Sequence, residues 1–188
     1  MARVKSGEIG VHYDGREFIF RPSFARLDAL AQDYDLRALW GDLQGSDASA
    51  QVAAATAVLG YLFAGSDSDL ELLIGYTMPI NGWRWDYPGV IPPDEQGLIA
   101  FTILRNGLIG NPDIRSAKSS ESGGGDFFNA YDYVFSAVKK LNMSKAEAEQ
   151  LTMAEFQQAL LIAYPDQFRD YERENAETEA LLKSVGMA

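Results

Sequence analysis

Two helix starts lie only eight residues apart near the C-terminal end of the chain, and this spacing strongly constrains its fold. Ser144 is followed three residues later by Glu147, and Thr152 is followed three residues later by Glu155. In each pair the hydroxyl accepts a hydrogen bond from the third helical N–H, and the carboxylate accepts one from the cap N–H. The pattern therefore predicts a helix of roughly two turns, a sharp corner and a second helix.

The second helix start also carries a hydrophobic staple. Leu151 precedes the cap and Phe156 lies at the fourth helical position, a spacing that brings two such side chains together across the corner. The helix then places Phe156, Leu160 and Tyr164 on one stripe, and Pro165 either ends it or opens another helix. We expect this stripe to pack against a neighbouring helix.

A helix–corner–helix unit also occurs in DNA-binding proteins, where the second helix lies in the major groove. Residues 153–164 contain neither lysine nor arginine, and the chain carries a net charge of −11 that is spread over both of its halves. Such a surface repels the phosphate backbone. We therefore expect no nucleic-acid partner.

Upstream of the corner, an amphipathic helix is predicted with Asp126 as its cap. Its apolar side chains recur at helical spacing: Phe127, Tyr131, Val134, Phe135, Val138 and Leu141. Before it, residues 116–125 have the serine- and glycine-rich composition of a flexible linker. We predict an N-terminal domain over 1–115, a linker over 116–125 and a helical subdomain over 126–188, with a polar helix across 166–185.

The N-terminal region is predicted to begin with a β-hairpin. Asp14-Gly15 is a favoured two-residue turn, and its register sets Val11 opposite Phe18 and Ile9 opposite Phe20. Helical patterns follow from Ser23 onward. The fold class expected is mainly α: a helical bundle-like domain with an N-terminal two-stranded hairpin, a linker and a C-terminal helical subdomain.

The composition of the chain limits which classes of protein it can belong to. Hydrophobic residues make up 47% of the chain, which is enough for a core, and there is no cysteine for a disulfide or a thiolate site. The most apolar run, residues 52–64, spans 13 residues, which is too short to cross a bilayer. We expect a soluble protein without a membrane partner.

Catalytic signatures are sparse. The single histidine, His12, falls on the polar face of the predicted hairpin, and no G-x-S-x-G elbow or phosphate-binding loop is present. The acidic run at residues 67–69 is interpreted as a helix start and not as a metal site. The expectation is a non-enzymatic protein with no cofactor and no metal.

Residues 76–93 contain four of the seven prolines and are predicted to form an irregular loop. Within it Trp83, Trp85 and Tyr87 alternate with Arg84 and Asp86. Aromatic faces in this arrangement can anchor a protein partner or stack on a sugar. The alternative is that they fasten the loop to the helical core, and both interpretations stay open.

Two stretches resemble a known family. Residues 7–32, "GEIGVHYDGREFIFRPSFARLDALAQ", are similar to the start of tail assembly chaperones of long-tailed phages and gene transfer agents. Residues 141–160, "LNMSKAEAEQLTMAEFQQAL", resemble that family's later pattern of a short helix, a second cap and an apolar helix. Together they cover roughly a quarter of the chain.

The resemblance implies a non-enzymatic role in virion assembly. Such chaperones bind the tape measure protein in the host cytoplasm, keep it soluble until the tail tube forms, and are absent from the mature virion. The tail tube protein is a second candidate partner, and self-association is left open. Candidate partner-binding residues are Trp83, Arg84, Trp85, Tyr87, Phe127, Tyr131, Phe156 and Tyr164. The alternatives are a structural minor tail or connector protein, or a carbohydrate-acting protein using residues 83–87.

Overall fold

The computed structural model describes residues 2–3, 6–80, 83–116 and 128–170. These residues form eight helices and seven short strands, which confirms the predicted mainly helical fold class. In chain order they are β1 (Ala2–Arg3), β2 (Glu8–Tyr13), β3 (Arg16–Phe20), α1 (Phe24–Asp33), α2 (Leu36–Gln44), α3 (Ala48–Leu62), α4 (Asp67–Ile74), β4 (Gly75–Ile80), β5 (Trp83–Pro88), α5 (Pro93–Ile109), β6 (Ile114–Ser116), α6 (Ala130–Leu141), α7 (Lys145–Gln150), α8 (Met153–Ala163) and β7 (Phe168–Asp170).

The N-terminal hairpin has the predicted register. Strands β2 and β3 are antiparallel, with Val11 opposite Phe18 and Ile9 opposite Phe20. Phe18, Phe20 and Ile9 are buried against the helices. This burial supplies the support that an isolated two-stranded hairpin lacks in water.

The hairpin turn and one added strand complete this sheet. Asp14 and Gly15 have φ values of 48° and 72°, which is the left-handed conformation that a two-residue turn of this kind needs. Strand β1 then pairs antiparallel with β2, setting Ala2 opposite Ile9, so the sheet has three strands where the sequence predicted two.

A first core fills the space between this sheet and helices α1 to α5. We use the term first core for the buried cluster that includes Ile9, Phe18, Phe20, Leu27, Leu30, Val58, Leu59, Leu62, Leu73, Ile103 and Leu104. Helix α5 approaches the start of α1 closely at Gly107, where an added Cβ would lie 2.8 Å from the Cβ of Pro22, just before α1, and 3.0 Å from the Cδ1 of Leu27. This contact requires a residue without a side chain, because carbon atoms do not pack that closely.

A second core lies among α1, α6, α7 and α8. It consists of Phe24, Ala130, Val134, Ala137, Ala148, Met153, Phe156 and Leu160. Phe24 comes from α1, whose Leu27 and Leu30 belong to the first core. Helix α1 therefore connects the two clusters.

The helices on the two sides of the predicted linker pack against each other. Helix α1 contacts α6 and α7, α5 contacts α8, and β6 pairs with β7 through Ile114 and Asp170. Ser116 belongs to β6, and residues 117–127 lie outside the described part of the chain. The division at residues 116–125 stays a prediction.

The predicted polar helix over 166–185 is wrong at its start. Residues Phe168–Asp170 form strand β7, which pairs with β6. The main-chain N–H and C=O groups of this segment form hydrogen bonds with β6, whereas in a helix they would bond within the segment itself. A local sequence pattern does not show which of the two forms. The rest of the predicted helix, residues 171–185, lies outside the described residues.

Both predicted capping boxes form. The Ser144 N–H donates to Glu147 at 2.9 Å, and the Thr152 N–H donates to Glu155 at 3.0 Å. Helix α7 is therefore short, and the chain turns at Leu151 into α8. Hydrogen bonds from Ser144 lower the pKa of the Glu147 carboxyl below its usual value.

The second box also ties distant parts of the chain together. The Thr152 hydroxyl donates to the Ser6 carbonyl at 2.6 Å, which joins α8 to the segment before β2. The Phe24 N–H donates to the Leu151 carbonyl at 2.9 Å, and Ser23 forms a β-bridge with Thr152. The corner is thus a structural junction as well as a turn.

Arg21 extends this junction. Its guanidinium binds the carboxylate of Glu8, donates to Glu155 at 2.7 Å and donates to the Gln150 carbonyl at 3.0 Å. Burial disfavours the charged guanidinium, but the hydrogen bonds with Glu8 and Glu155 outweigh it and raise the pKa of Arg21. The junction joins the N-terminal sheet to the helix corner through a charge-assisted network.

Helix α6 starts later than predicted. It begins at Ala130 and is capped by Asn129, whose side chain accepts from the Tyr131 N–H at 3.0 Å; Asp126 lies outside the described residues. Ala130, Val134 and Ala137 face the second core. Of the predicted apolar stripe, Val134 is buried and Leu141 packs against the second core, whereas Tyr131, Phe135 and Val138 are exposed.

Candidate functional site

Residues 75–80 and 83–88 form two paired strands, so the predicted irregular loop at this position is wrong. Strands β4 and β5 pair antiparallel over six residue pairs, from Gly75 with Pro88 to Ile80 with Trp83. Proline weakens a central strand because it lacks the N–H that bonds to a neighbouring strand. Both strands of a two-stranded sheet are edge strands, where a missing N–H has little effect on stability. Pro79 and Pro88 are therefore compatible with this hairpin, which we call the arm.

The root of the arm, where β4 follows α4 and β5 leads towards α5, is held by close backbone packing. Gly75 has φ of 83°, and an added Cβ there would overlap the Tyr87 carbonyl. A Cβ at Gly89 would overlap the Leu73 carbonyl. The Ile91 N–H donates to that same carbonyl at 2.9 Å. The backbone around Gly75 and the backbone around Gly89 therefore lie so close together that only glycine fits at these two positions.

Gln96 fixes the root to helix α5. Its side-chain amide is buried and donates to the carbonyls of Ile74 at 3.1 Å and Ile91 at 2.8 Å. Ile74 ends α4 and Ile91 precedes α5, so one side chain joins both ends of the arm. The position of the arm therefore depends on α5.

Replacing Gln96 with alanine is expected to destabilise the protein by about 2 kcal/mol, because one buried and one partly buried carbonyl lose their hydrogen bonds. Thermal unfolding followed by circular dichroism measures this. Gln44→Ala is the matched control, since the Gln44 amide makes one exposed hydrogen bond, to Trp40. Equal effects of the two substitutions would show that Gln96 does not hold the root.

One face of the arm carries exposed apolar side chains. Tyr76 and Tyr87 stack with ring centroids 4.7 Å apart and planes 13° apart. Tyr76, Met78 and Tyr87 are 39%, 42% and 42% exposed. On the other face the Thr77 hydroxyl donates to Asp86 at 2.6 Å. The arm therefore has an apolar face and a polar face, as alternation along a strand requires.

The main chain of the other predicted residues of this segment runs through β5. Trp83, Arg84 and Trp85 pair with Ile80, Pro79 and Met78 respectively. The aromatic run in the sequence indicates Tyr87 but not Tyr76 and Met78, which lie on the partner strand. The missed signal is Asn81-Gly82, a favoured hairpin dipeptide between two alternating runs.

The predicted C-terminal contact residues separate into three groups. Phe127 lies outside the described residues. Phe156 is buried in the second core, and Tyr164 is half-buried there with its hydroxyl donating to the Lys140 carbonyl at 2.8 Å. Phe156 is thus a packing residue and is not available to a partner. Tyr131 is exposed on α6.

Tyr131 belongs to a second apolar surface, which we call the α6 groove. It is lined by Tyr131, Val134, Phe135, Val138 and Lys145 and encloses about 180 Å³. Small-molecule sites occupy roughly 300–1,000 Å³. The α6 groove is below that range, and its size suits one or two side chains of a protein partner.

Other chemistry is limited in the part of the chain described. His12 is exposed beside Glu17, with 3.8 Å between its Nε2 and the Glu17 Oε1. The described residues contain no group of three or more His, Cys, Asp or Glu side chains arranged to hold a metal ion. None of the described helices combines the length and apolar character needed to span a membrane.

Comparison with known proteins places the chain in a family. A family model described as a family of unknown function (DUF6246) matches residues 26–179, which is most of the chain. No curated protein matches, and no solved structure matches.

Proposed function

Because the chain belongs to the family of unknown function DUF6246, we propose its role from its own surfaces. We propose a non-enzymatic phage tail assembly chaperone that binds the tape measure protein and keeps it soluble while the tail tube assembles. The apolar face of the arm, formed by Tyr76, Met78 and Tyr87, is the proposed contact surface.

The observation that carries this proposal is an exposed apolar face on a firmly held hairpin. A two-stranded hairpin is marginal in water by itself. Here Gly75, Gly89 and Gln96 fix its root while large apolar side chains remain exposed farther along it. A partner that covers this face would remove apolar area from water without first having to order the arm.

The residue types on the arm suit a partner with a long and variable apolar surface. Tyrosine and tryptophan contribute disproportionately to binding at protein interfaces. Met78 adds a side chain that adapts to differently shaped neighbours. The net charge of −11 would keep a complex with an aggregation-prone chain in solution.

The resemblance of residues 7–32 and 141–160 to tail assembly chaperones selects the tape measure protein as the proposed partner. The proposal includes no catalysis, cofactor, nucleic acid or membrane. It places the chain in the host cytoplasm during assembly and outside the finished particle. The tail tube protein is a second candidate partner that the same binding experiments can include.

Co-expression with the tape measure protein tests the proposal. The intact chain should raise the soluble fraction of the tape measure protein, and Tyr76→Ser/Tyr87→Ser should abolish that gain. The control Tyr13→Ser/Leu98→Ser removes exposed apolar groups elsewhere and should keep it. An unchanged soluble fraction with the intact chain would contradict the proposal.

Mass spectrometry of purified virions separates the chaperone from a structural minor tail or connector protein. We expect the tail tube protein to be detected and this chain to be absent. Detection of the chain at a fixed ratio to a tail protein would identify a structural component instead.

A further inference from the structure

Helix α6 exposes a stripe of large apolar side chains outside the proposed contact surface of the arm. Tyr131, Phe135 and Val138 are 52%, 72% and 36% exposed. Their spacing places them on one side of the helix. The buried Val134 lies beneath them and lines the bottom of the α6 groove. Phe135 lies at the middle of this stripe.

Opposite charges flank this stripe at its two ends. Asp132 lies near the start of α6 and Lys139 lies near its end. Seven residues make nearly two helical turns, so both side chains lie on the same flank, about 10 Å apart along the axis. They are placed almost symmetrically about Phe135. Lys145 lines the other side of the groove and already forms an ion pair with Glu149, with 3.4 Å between Nζ and Oε1.

From this arrangement we infer that the α6 groove binds a second copy of the same chain, with the two α6 helices antiparallel about a two-fold axis. This pairing sets Phe135 against Phe135 and Tyr131 against Val138 of the other copy. It also sets Asp132 against Lys139 twice in each dimer, because a two-fold axis keeps each flank beside the same flank of the other helix.

The charge pattern selects this occupant and this direction. In a parallel arrangement the two-fold axis would run along the helices and place this flank of one copy away from the same flank of the other, so Asp132 and Lys139 would form no pair across the interface. A surface that is complementary to itself after a two-fold rotation is the requirement for an isologous dimer. The inference concerns a different surface from the proposed chaperone contact and does not depend on it.

The dimer is expected to dissociate on dilution. One helix of 12 residues from each copy forms a small interface, and small interfaces belong to weak or transient complexes. The net charge of −11 on each copy adds long-range repulsion. Association therefore depends on the apolar stripe and on the two local charge pairs.

Sedimentation velocity over a concentration series of the full chain tests the inference. The unmodified chain should shift from monomer to dimer as its concentration rises. Phe135→Glu should weaken dimerisation by about 30-fold or more, as expected for a central aromatic contact. Ile162→Glu changes a similarly exposed apolar residue on α8 and should leave dimerisation unchanged.

A charge exchange tests the direction of pairing. Lys139→Asp should weaken the dimer by about tenfold, since two pairs become repulsive. Adding Asp132→Lys restores opposite charges and should recover the original affinity. Circular dichroism should show the same helix content in every variant. A monomer at all concentrations, or a dimer indifferent to Phe135→Glu, would overturn the inference, and failure of the exchange to recover affinity would overturn the antiparallel pairing.

Discussion

Replacing Phe24 with alanine is expected to destabilise the protein by about 3–5 kcal/mol, the usual cost of truncating a fully buried phenylalanine. The Phe24 ring is fully buried. It lies 5.5 Å from the Tyr133 ring and 5.8 Å from the Phe156 ring, in stacked and edge-on geometry. Its loss would leave a cavity where α1 meets α6 and α8. Urea unfolding measures the change.

The helices that lose hydrogen-exchange protection distinguish the effect of Phe24→Ala from that of other core substitutions. Phe20→Ala is the control, because Phe20 is equally buried but lies in the first core. Hydrogen exchange in Phe24→Ala should show greater loss of protection in α6 and α8 than in α3 and α5. A destabilisation below about 1 kcal/mol would contradict the role of α1 as the connection between the two cores.

Thr152→Ala is expected to cost about 2 kcal/mol, roughly twice the cost of Ser144→Ala. Each hydroxyl caps a helix through the N–H three residues on, at 3.3 Å in both cases. Both hydroxyls also donate: Thr152 to the distant Ser6 carbonyl at 2.6 Å, and Ser144 to its own Glu147 carboxylate at 2.7 Å. Thr152 is completely buried whereas Ser144 is exposed to water, so loss of the Ser6 hydrogen bond adds about 1 kcal/mol that Ser144→Ala does not incur.

The two capping substitutions form a matched pair because they change the same pattern in two environments. Thermal unfolding of both variants gives the difference. Thr152→Ala should also speed hydrogen exchange at the Ser6–Gly7 turn, while Ser144→Ala should leave that turn protected as before. Equal destabilisation by the two substitutions would show that the corner does not act as a junction with the N-terminal segment.

The features predicted well from the sequence depend on local chemistry. The Asp14-Gly15 turn sets the register of its own strands, and each capping box is complete within four residues. The Arg21 network joins residues up to 134 positions apart, so no local pattern indicates it. Long-range pairing of β6 with β7 escaped prediction for the same reason.

The arm and α6 differ from their predictions for different physical reasons. In the arm, the proline content predicts a loop, but the Asn81-Gly82 dipeptide is typical of a hairpin and a two-stranded edge tolerates proline. In α6, periodicity shows that apolar residues share a side but not which of two adjacent faces is buried. The alanines at 130 and 137 decide that, since they permit the closest helix approach.

The candidate contact surface combines residues that the sequence separates. Tyr87 belongs to an aromatic run in the sequence, but its stacking partner Tyr76 precedes it by 11 residues. Only the register of the hairpin brings the two rings together. Phe156, selected from the same kind of apolar pattern, is buried. Exposure therefore separates contact candidates from core residues, and composition does not.

Dilution of denatured tape measure protein into buffer, followed by light scattering, tests the proposed chaperone function most directly. The intact chain should suppress aggregation at near-equimolar ratio, Tyr76→Ser/Tyr87→Ser should lose most of that effect, and Tyr13→Ser/Leu98→Ser should retain it. Unsuppressed aggregation with the intact chain, or equal protection by the arm variant, would contradict the proposal that the arm holds the tape measure protein.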